Sequence, residues 1–367
     1  MKYNWQQKDW PNFRYDIIGI EDMLFQFAER TGRISGFLEG LPKEMQTEAM
    51  INIMVYEAIK TSEIEGEYLS RKDVVSSIRR NLNLHADLPI INDKRVEGIS
   101  ELMIAVRNTF SEPLNEETLF SWHTMLMKGS KGIEAGVWRT HQEPMQIVSD
   151  AMGKEKIHYE APPSAKVEME MTNFIQWFNA TAPDGYNPIK QPIIRAAIAH
   201  LYFESIHPFE DGNGRIGRAI SEKALSQNIQ RPILLSLSKS IEQHKNHYYD
   251  TLQLAQRSNE ITPWITYFVK TVLDAQIQAE EEIEFTLKKT KFFDVNLTAL
   301  NERQLKVIKR MLEEGPKGFE GGMNARKYVG IVGTSKATAT RDLQDLVEKN
   351  ILVPVGAGRS ARYLLPL

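Results

Sequence analysis

Apolar residues recur at helical spacing through most of this chain, and this pattern constrains the fold more than any other feature. The clearest helical stretches are 51–59, 194–201 and 264–272. Strand signals are sparse, and the best of them runs from 136 to 159, where two short apolar runs flank 150–154. That arrangement is typical of a β-hairpin. The sequence therefore predicts a mainly α protein with one small hairpin.

Composition narrows the class of protein further. A chain of 367 residues is long enough for two or three domains, and 42% hydrophobic residues suffice for buried cores. The absence of cysteine excludes disulfides, thiolate metal sites and cysteine nucleophiles. No stretch approaches the roughly 20 apolar residues of a membrane helix, and residues 1–16 lack the apolar run of a signal peptide. We therefore expect a cytoplasmic protein.

The C-terminal part differs in charge from the rest. Residues 296–367 carry 12 Lys and Arg against 7 Asp and Glu, a balance of +5, whereas the net charge of the whole chain is −3. Three predicted helices are followed by two short strands around a glycine-rich tip at 356–358. This order resembles a winged helix-turn-helix, in which the third helix enters the DNA major groove. The alternative is a winged helix that binds only protein, including its own body or a second copy.

The predicted domains are therefore 1–110, an N-terminal helical domain, 111–293, a catalytic core, and 294–367, the winged helix. The third helix is predicted at 336–349, with Ser335 at its N-cap. The candidate DNA contacts are Ser335, Lys336, Thr338, Thr340 and Arg341 on the helix, and Arg359 and Arg362 on the wing.

The run from His207 to Arg218, His-Pro-Phe-Glu-Asp-Gly-Asn-Gly-Arg-Ile-Gly-Arg, carries the chemistry. It follows an apolar helical pattern and precedes another, which predicts a tight loop that feeds a helix N-terminus. Gly212 and Gly214 allow positive φ and close approach of a ligand. Unpaired amides at the positive end of a helix dipole bind phosphate.

The polar side chains of the run suit a nucleotide site. Arg215 and Arg218 lie on one helix face and can bind phosphate oxygens, and Asn213 adds a neutral donor. Asp211 is an acid in a loop that otherwise attracts anions, which predicts a Mg²⁺ ligand. His207 can accept a proton from an attacking hydroxyl.

The run matches the Fic (Fido) motif without departure, and the chain is thus identified as resembling that family. The resemblance implies AMP transfer from ATP to a Ser, Thr or Tyr hydroxyl of a target protein. It implies that His207 is the general base and that Asp211 binds Mg²⁺. Glycine at 214, where related kinases have lysine, favours AMP transfer over phosphorylation. The nucleotide-binding set implied within the run is Asp211, Gly212, Asn213, Gly214, Arg215, Ile216, Gly217 and Arg218.

Two further segments resemble parts of the same family. The predicted hairpin looks like the family's flap, with Ile147 and Val148 near the active site and an edge that holds the target by strand addition. Tyr248 and Tyr249 look like the paired tyrosines near adenine. A tyrosine pair in a helix also suits a core, so both interpretations stay open.

A regulatory pattern precedes the core. Thr61-Ser-Glu-Ile-Glu65-Gly66 fits the family's inhibitory motif, in which the glutamate pairs with the second arginine of the run, here Arg218. A carboxylate on that guanidinium competes directly with phosphate. The alternative is a solvated helix face.

Several functions remain open beside AMP transfer. One is a nucleotide-responsive DNA-binding regulator, and another is AMP removal on the same fold. The enzyme is also expected to modify itself, and a winged helix that reads DNA favours a homodimer.

Overall fold

The computed structural model describes residues 2–84, 91–151, 154–356 and 361–366. The chain divides into two compact units. The first comprises Met1–Gly40 and Met50–Ile277, and the second comprises Leu41–Ala49 and Gln278–Leu367. The three-domain division expected from the sequence stays a prediction.

Helices dominate the described residues, which confirms the predicted mainly α fold. The α-helices are α1 (Glu21–Glu39), α2 (Lys43–Ile64), α3 (Arg71–Asn81), α4 (Lys94–Asn108), α5 (Glu116–Leu126), α6 (Ser164–Ala180), α7 (Pro192–Ile206), α8 (Asn213–Ile229), α9 (Leu237–Gln243), α10 (Lys245–Ala255), α11 (Thr262–Asn296), α12 (Glu302–Leu312), α13 (Ala325–Val332) and α14 (Lys336–Glu348). The strands are β1 (Gln146–Ala151), β2 (Lys154–Glu160), β3 (Val353–Val355) and β4 (Arg362–Leu364). Short 3-10 helices lie at Asn4–Gln6 and Leu297–Ala299. Within these described ranges, no helix has both the length and the apolar content to span a bilayer.

Helix α7 forms the centre of the first unit. Its residues from Ile193 to Ile206 are all buried, as expected for a helix that is apolar around most of its circumference. Pro192 occupies its first turn, where the missing N–H has no intrahelical partner to lose. Helix α8 packs along it. The loop that joins these two helices is therefore held at both ends by the core.

The predicted hairpin is present as β1 and β2, paired antiparallel with an irregularity between Ile147 and Val148. Residues 152–153 at its turn lie outside the described residues. The base of the hairpin is anchored, since the buried Tyr159 donates its hydroxyl to the carbonyl of Ser205 on α7 at 2.6 Å. Gln253 and Arg257 both donate to the carbonyl of His158. The hairpin therefore has a fixed base beside the end of α7.

The second unit has its own apolar core, formed by residues of α12, α13 and α14 with Ile351 and Leu352. The side chain of Ser335 caps α14, as predicted. Strands β3 and β4 pair antiparallel, with Val353 opposite Leu364. Arg359, a predicted wing contact, lies outside the described residues. The helix order and the hairpin match the predicted elements, whereas the assignment as a winged helix stays a prediction.

Candidate active site

The loop between α7 and α8 has an unusual backbone at both ends. His207 follows α7 with a φ of 51°, in the left-handed region that non-glycine residues seldom adopt. Gly212 has a φ of 80° at the N-cap of α8. A Cβ on Gly212 would lie 2.8 Å from the Met127 side chain and 2.9 Å from that of Leu126. Glycine is needed there for both reasons, and the loop lies directly against the end of α5.

Two side chains stiffen this loop from within and from below. The Asn213 amide donates to the carbonyl of Phe209 at 2.8 Å and accepts from its N–H at 2.9 Å. Phe209 is fully buried and stacks on His123 with a ring separation of 3.9 Å. Phe209 thus packs beneath the loop. The Asn213 side chain, for which the sequence predicts a neutral donor, bonds within the loop.

His123 also joins the loop to the flap entry. Its Nδ1 accepts from the N–H of Gly136 at 2.9 Å, which leaves Nε2 to donate to the carbonyl of Asp211 at 3.2 Å. Burial lowers the pKa of His123 to about 4, so the ring is neutral and this tautomer is fixed. Sequence reasoning missed this residue, because nothing in its local pattern on α5 distinguishes it from an ordinary core position.

Arg139 is a second anchor. Its guanidinium donates to the carbonyls of His207, Ile206 and Pro162, and its own N–H donates to the carbonyl of Pro208 at 2.9 Å. One buried side chain therefore connects the flap entry, the flap exit and the start of the loop.

A cavity of about 750 Å³ opens beside the loop. It brings together residues predicted from four separate segments: the inhibitory pattern, the flap, the loop and the tyrosine pair. Its described lining is Glu65, Ile147, Val148, His158, Tyr159, Glu204, His207, Gly214, Arg218, Asn246, Tyr248, Tyr249, Asp250, Leu252, Gln253 and Gln256. This cavity is much larger than a small ion requires, and polar groups lie at one end of it. It therefore suits a ligand of the size of a nucleotide.

Arg218 lies at the polar end of this cavity and is bound by the predicted inhibitory segment. Its Nη2 is 2.7 Å from the Glu65 carboxylate, and its Nε donates to the hydroxyl of Thr61, also at 2.7 Å. Burial alone would lower the pKa of Arg218, but the charge of Glu65 outweighs it and raises that pKa. The pairing predicted from the pattern is thus present in the geometry.

Arg215 has an acidic partner that the sequence did not indicate. Its Nη1 lies 2.8 Å from the carboxylate of Glu67, two residues after Glu65. The Asp211 carboxylate is 3.7 Å from Nη2 of Arg215 and is about half exposed, at 53%. Both arginines of the run are therefore paired with acids from one short segment after α2.

Six of the predicted nucleotide-binding residues are not part of the described cavity lining: Asp211, Gly212, Asn213, Arg215, Ile216 and Gly217. Ile216 is fully buried in the core, and Gly217 faces the carboxylate of Glu204. The predicted regulatory residues Thr61 and Gly66 do not belong to the lining either, and Gly66, with a φ of 83°, turns the chain after Glu65. The positions of Ile216, Gly217 and Gly66 fit roles in packing and chain direction.

The sequence left open whether the two tyrosines belong to the core or lie near adenine, and the structure shows that they differ from each other. Tyr248 is buried, and its hydroxyl lies 2.7 Å from Nε2 of His200. Tyr249 is 38% exposed and its hydroxyl donates to the carbonyl of Ile64 at 3.4 Å. Both line the cavity, so Tyr248 supports its wall and Tyr249 offers an accessible ring.

Comparison with known proteins agrees with this geometry. Residues 113–225 match the Fic/DOC family, and residues 3–84 match a domain of unknown function, DUF4172. A protein adenylyltransferase Fic of Aedes aegypti is 30% identical over 125 residues, 33% of this chain and 23% of that relative. Its namesake in Nematostella vectensis is 27% identical over 185 residues, 49% of this chain and 38% of the relative. The chain thus spans less than half the length of these curated relatives.

Solved structures show the same fold at low identity. A Fic family protein from Desulfovibrio desulfuricans aligns with a TM-score of 0.57 at 20% identity, covering 97% of this chain and 98% of that one. A Fic domain containing signaling protein from Bacteroides thetaiotaomicron aligns with a TM-score of 0.54 at 18% identity, over 73% and 97% of the two chains. Residues 113–225, which match the Fic/DOC family, include the loop and both of its arginines, and the solved structures share the fold.

Proposed function

We propose that this protein transfers AMP from ATP to a hydroxyl of a protein, including its own chain, and that Glu65 restrains the reaction. One observation carries the proposal. The buried Nε of Arg215 and the buried Nη1 of Arg218 have no hydrogen-bond partner among the described residues. Buried guanidinium donors without acceptors are costly unless a ligand satisfies them. Phosphate oxygens are the acceptors that fit this pair.

The reaction follows from the positions of the loop residues. The hydroxyl oxygen of the target attacks the α-phosphorus of ATP while its proton moves to Nε2 of His207. The bond from that phosphorus to the bridging oxygen breaks, and pyrophosphate leaves. The backbone N–H groups at the start of α8 hold the phosphates in line, and Arg218 binds the terminal phosphate once Glu65 has left. The rate gain arises from positioning and charge stabilisation.

Asp211 fits the role of a Mg²⁺ ligand. It is the exposed acid of the loop, and its Oδ1 accepts from the Gly212 N–H at 2.6 Å, which fixes the carboxylate at the mouth of the phosphate site. Mg²⁺ commonly binds one or two carboxylates together with substrate phosphates, so one acid suffices. When bound, the ion neutralises phosphate charge.

The flap and the tyrosine pair supply the remaining specificity. Ile147 and Val148 line the cavity at the irregular position of β1, and Val148 is 48% exposed. A target segment that pairs with this strand edge presents its hydroxyl to His207. The exposed ring of Tyr249 is the natural surface for adenine.

The proposed reaction is tested by comparing ATP labelled at the α-phosphate with ATP labelled at the γ-phosphate. We expect the chain carrying Glu65→Gly, incubated with Mg²⁺, to retain label from the α-phosphate of ATP and none from the γ-phosphate. Mass spectrometry then locates the modified hydroxyl. Label retained from the γ-phosphate instead would replace AMP transfer by phosphorylation. Failure to bind ATP at all, measured by calorimetry, would reject an ATP-dependent reaction.

A substitution at Glu67 tests the proposed role of Arg215, the first arginine of the run. Glu67→Gln keeps the shape of the side chain but replaces a charge-assisted bond with a neutral one, a loss of about 1 kcal/mol. We expect ATP to bind roughly fivefold more tightly, since Arg215 becomes easier to recruit. Isothermal calorimetry checks this, with Glu63→Gln as control, because Glu63 pairs with Lys60 at the same helix end. Equal affinities would show that Arg215 does not bind the nucleotide.

A second candidate function concerns the C-terminal unit. Lys336 and Arg341 are exposed on α14, whereas two of its three acids, Asp342 and Asp345, are paired with Arg303 and Lys349. The third acid, Glu348, is exposed and is the last residue of the helix. Exposed cations from the start of the helix to Arg341 suit DNA phosphates. We expect duplex DNA to bind at low salt and to dissociate steeply as salt rises. Lack of retention at low salt would instead favour a protein-binding module.

A further inference from the structure

His207 and Glu204 each have a buried polar atom that lacks a hydrogen-bond partner among the described residues. These atoms are Nδ1 of His207 and Oε1 of Glu204. The other carboxylate oxygen of Glu204 lies 3.7 Å from Nδ1 of His207. This distance exceeds a hydrogen bond, but a small rotation of either side chain closes it. Hydrogen bonds in active sites without substrate are often long and tighten when the substrate binds.

The place of Glu204 in the fold needs an explanation that packing does not give. Glu204 lies on α7, three residues before His207, and is only 3% exposed. A buried carboxylate is costly unless it is paired. Its surroundings are adapted to it: a Cβ on Gly217 would lie 2.5 Å from Oε1 of Glu204. Glycine at this position of the run thus leaves room for the acid.

We propose that Glu204 is a positioning residue that holds His207 in the tautomer with hydrogen on Nδ1 and so makes Nε2 the base. This inference rests on the proposed AMP transfer. A carboxylate that accepts from Nδ1–H fixes ring orientation and stabilises the imidazolium that forms when Nε2 takes the hydroxyl proton. Nδ1 of His207 has no other hydrogen-bond partner among the described residues.

The other charged and titratable groups around Glu204 leave this role to His207. His200 already has partners at both nitrogens, Ser221 and Tyr248. Arg218 is engaged by Thr61 and Glu65. Burial raises the pKa of Glu204, but the nearby imidazoles of His207 and His200 and the guanidinium of Arg218 outweigh it and lower that pKa. Glu204 therefore carries a negative charge at neutral pH.

The test uses the full chain carrying Glu65→Gly, with and without Glu204→Gln. Glutamine keeps the volume and an acceptor oxygen but removes the charge. We expect AMP transfer to fall within the ~10²–10⁴-fold range of general base catalysis, while ATP affinity changes less than about threefold. The acid limb of the pH–rate profile moves to lower pH, because the imidazolium loses its stabilising anion. The matched control is Glu170→Gln, which removes another buried carboxylate, bonded to Trp10.

Nitrogen-15 NMR of the unsubstituted chain gives a readout that needs no AMP transfer. His207→Ala assigns the His207 signals, and we expect hydrogen on Nδ1 in the neutral ring. Hydrogen on Nε2 would overturn the inference. So would a Glu204→Gln chain that transfers AMP at the background rate with an unchanged acid limb, or one whose loss equals that of Glu170→Gln. If the Glu65→Gly background transfers no AMP, the proposed function fails, while the tautomer still decides this inference.

Discussion

Replacing Glu65 with glycine should raise AMP transfer about 10- to 150-fold. The carboxylate is 2.7 Å from Nη2 of Arg218 and also covers Gly214, where a Cβ would lie 2.3 Å from its oxygen. The Glu65 carboxylate therefore binds the guanidinium and also fills the space above the loop. The proposed phosphate needs both. A charge-assisted hydrogen bond contributes about 1.5–3 kcal/mol, and that competition corresponds to the stated range of rates. Initial rates of label transfer from α-labelled ATP measure the effect.

The same variant should lose stability without ATP and regain it with ATP. Arg218 is almost completely buried, with a side chain 1% exposed, so losing its carboxylate leaves a buried charge bonded only to Thr61. Added ATP should then raise the melting temperature more than in the unsubstituted chain. Glu63→Gly serves as the control, because Glu63 pairs with Lys60 instead. Equal transfer by the two variants would remove the inhibitory role of Glu65.

The arrangement of the polar residues in the loop could be predicted because these residues are neighbours in the sequence. The run from 207 to 218 folds into one turn and the first turns of α8, so the order of residues in the sequence is nearly their order in space. The contact between Glu65 and Arg218 spans 153 residues, and only the resemblance to a known pattern indicated it. The pair of Glu67 with Arg215 spans 148 residues and belongs to no pattern we recognised, so it was missed.

The sequence does carry a signal at Glu204 that indicates a buried contact. It is an acid in the last turn of a helix whose other residues are mostly apolar, and an acid in a buried helix needs a partner. That signal indicates a buried pairing but does not name the partner. The two bonds of His123 and the carbonyls around Arg139 had no comparable signal, because backbone acceptors are the same at every residue. Tertiary structure alone decides which of them meet a side chain.

Replacing His207 with alanine should abolish AMP transfer while ATP still binds. The ring is the cavity's candidate base, 16% exposed, with Nδ1 buried, which leaves Nε2 for the hydroxyl proton. In the proposed reaction, the phosphates bind backbone N–H groups and the two arginines, which the substitution does not touch. We expect a fall of ~10²–10⁴-fold in transfer with ATP affinity within about threefold. Both are measured in the Glu65→Gly background, by labelled transfer and by calorimetry.

The strongest control is a second histidine outside the cavity. His247 is exposed on α10, where its ring contacts that of Tyr267 and its backbone carbonyl accepts from the Thr251 hydroxyl, so His247→Ala should transfer AMP at the background rate. His207 adopts a left-handed backbone, a region in which histidine is several-fold enriched and alanine is not, so alanine there also costs some stability. A folding defect is thus separable from a chemical one by melting temperature. Transfer by His207→Ala within threefold of the background would assign the base to another group, and Glu204 would then have no base to orient.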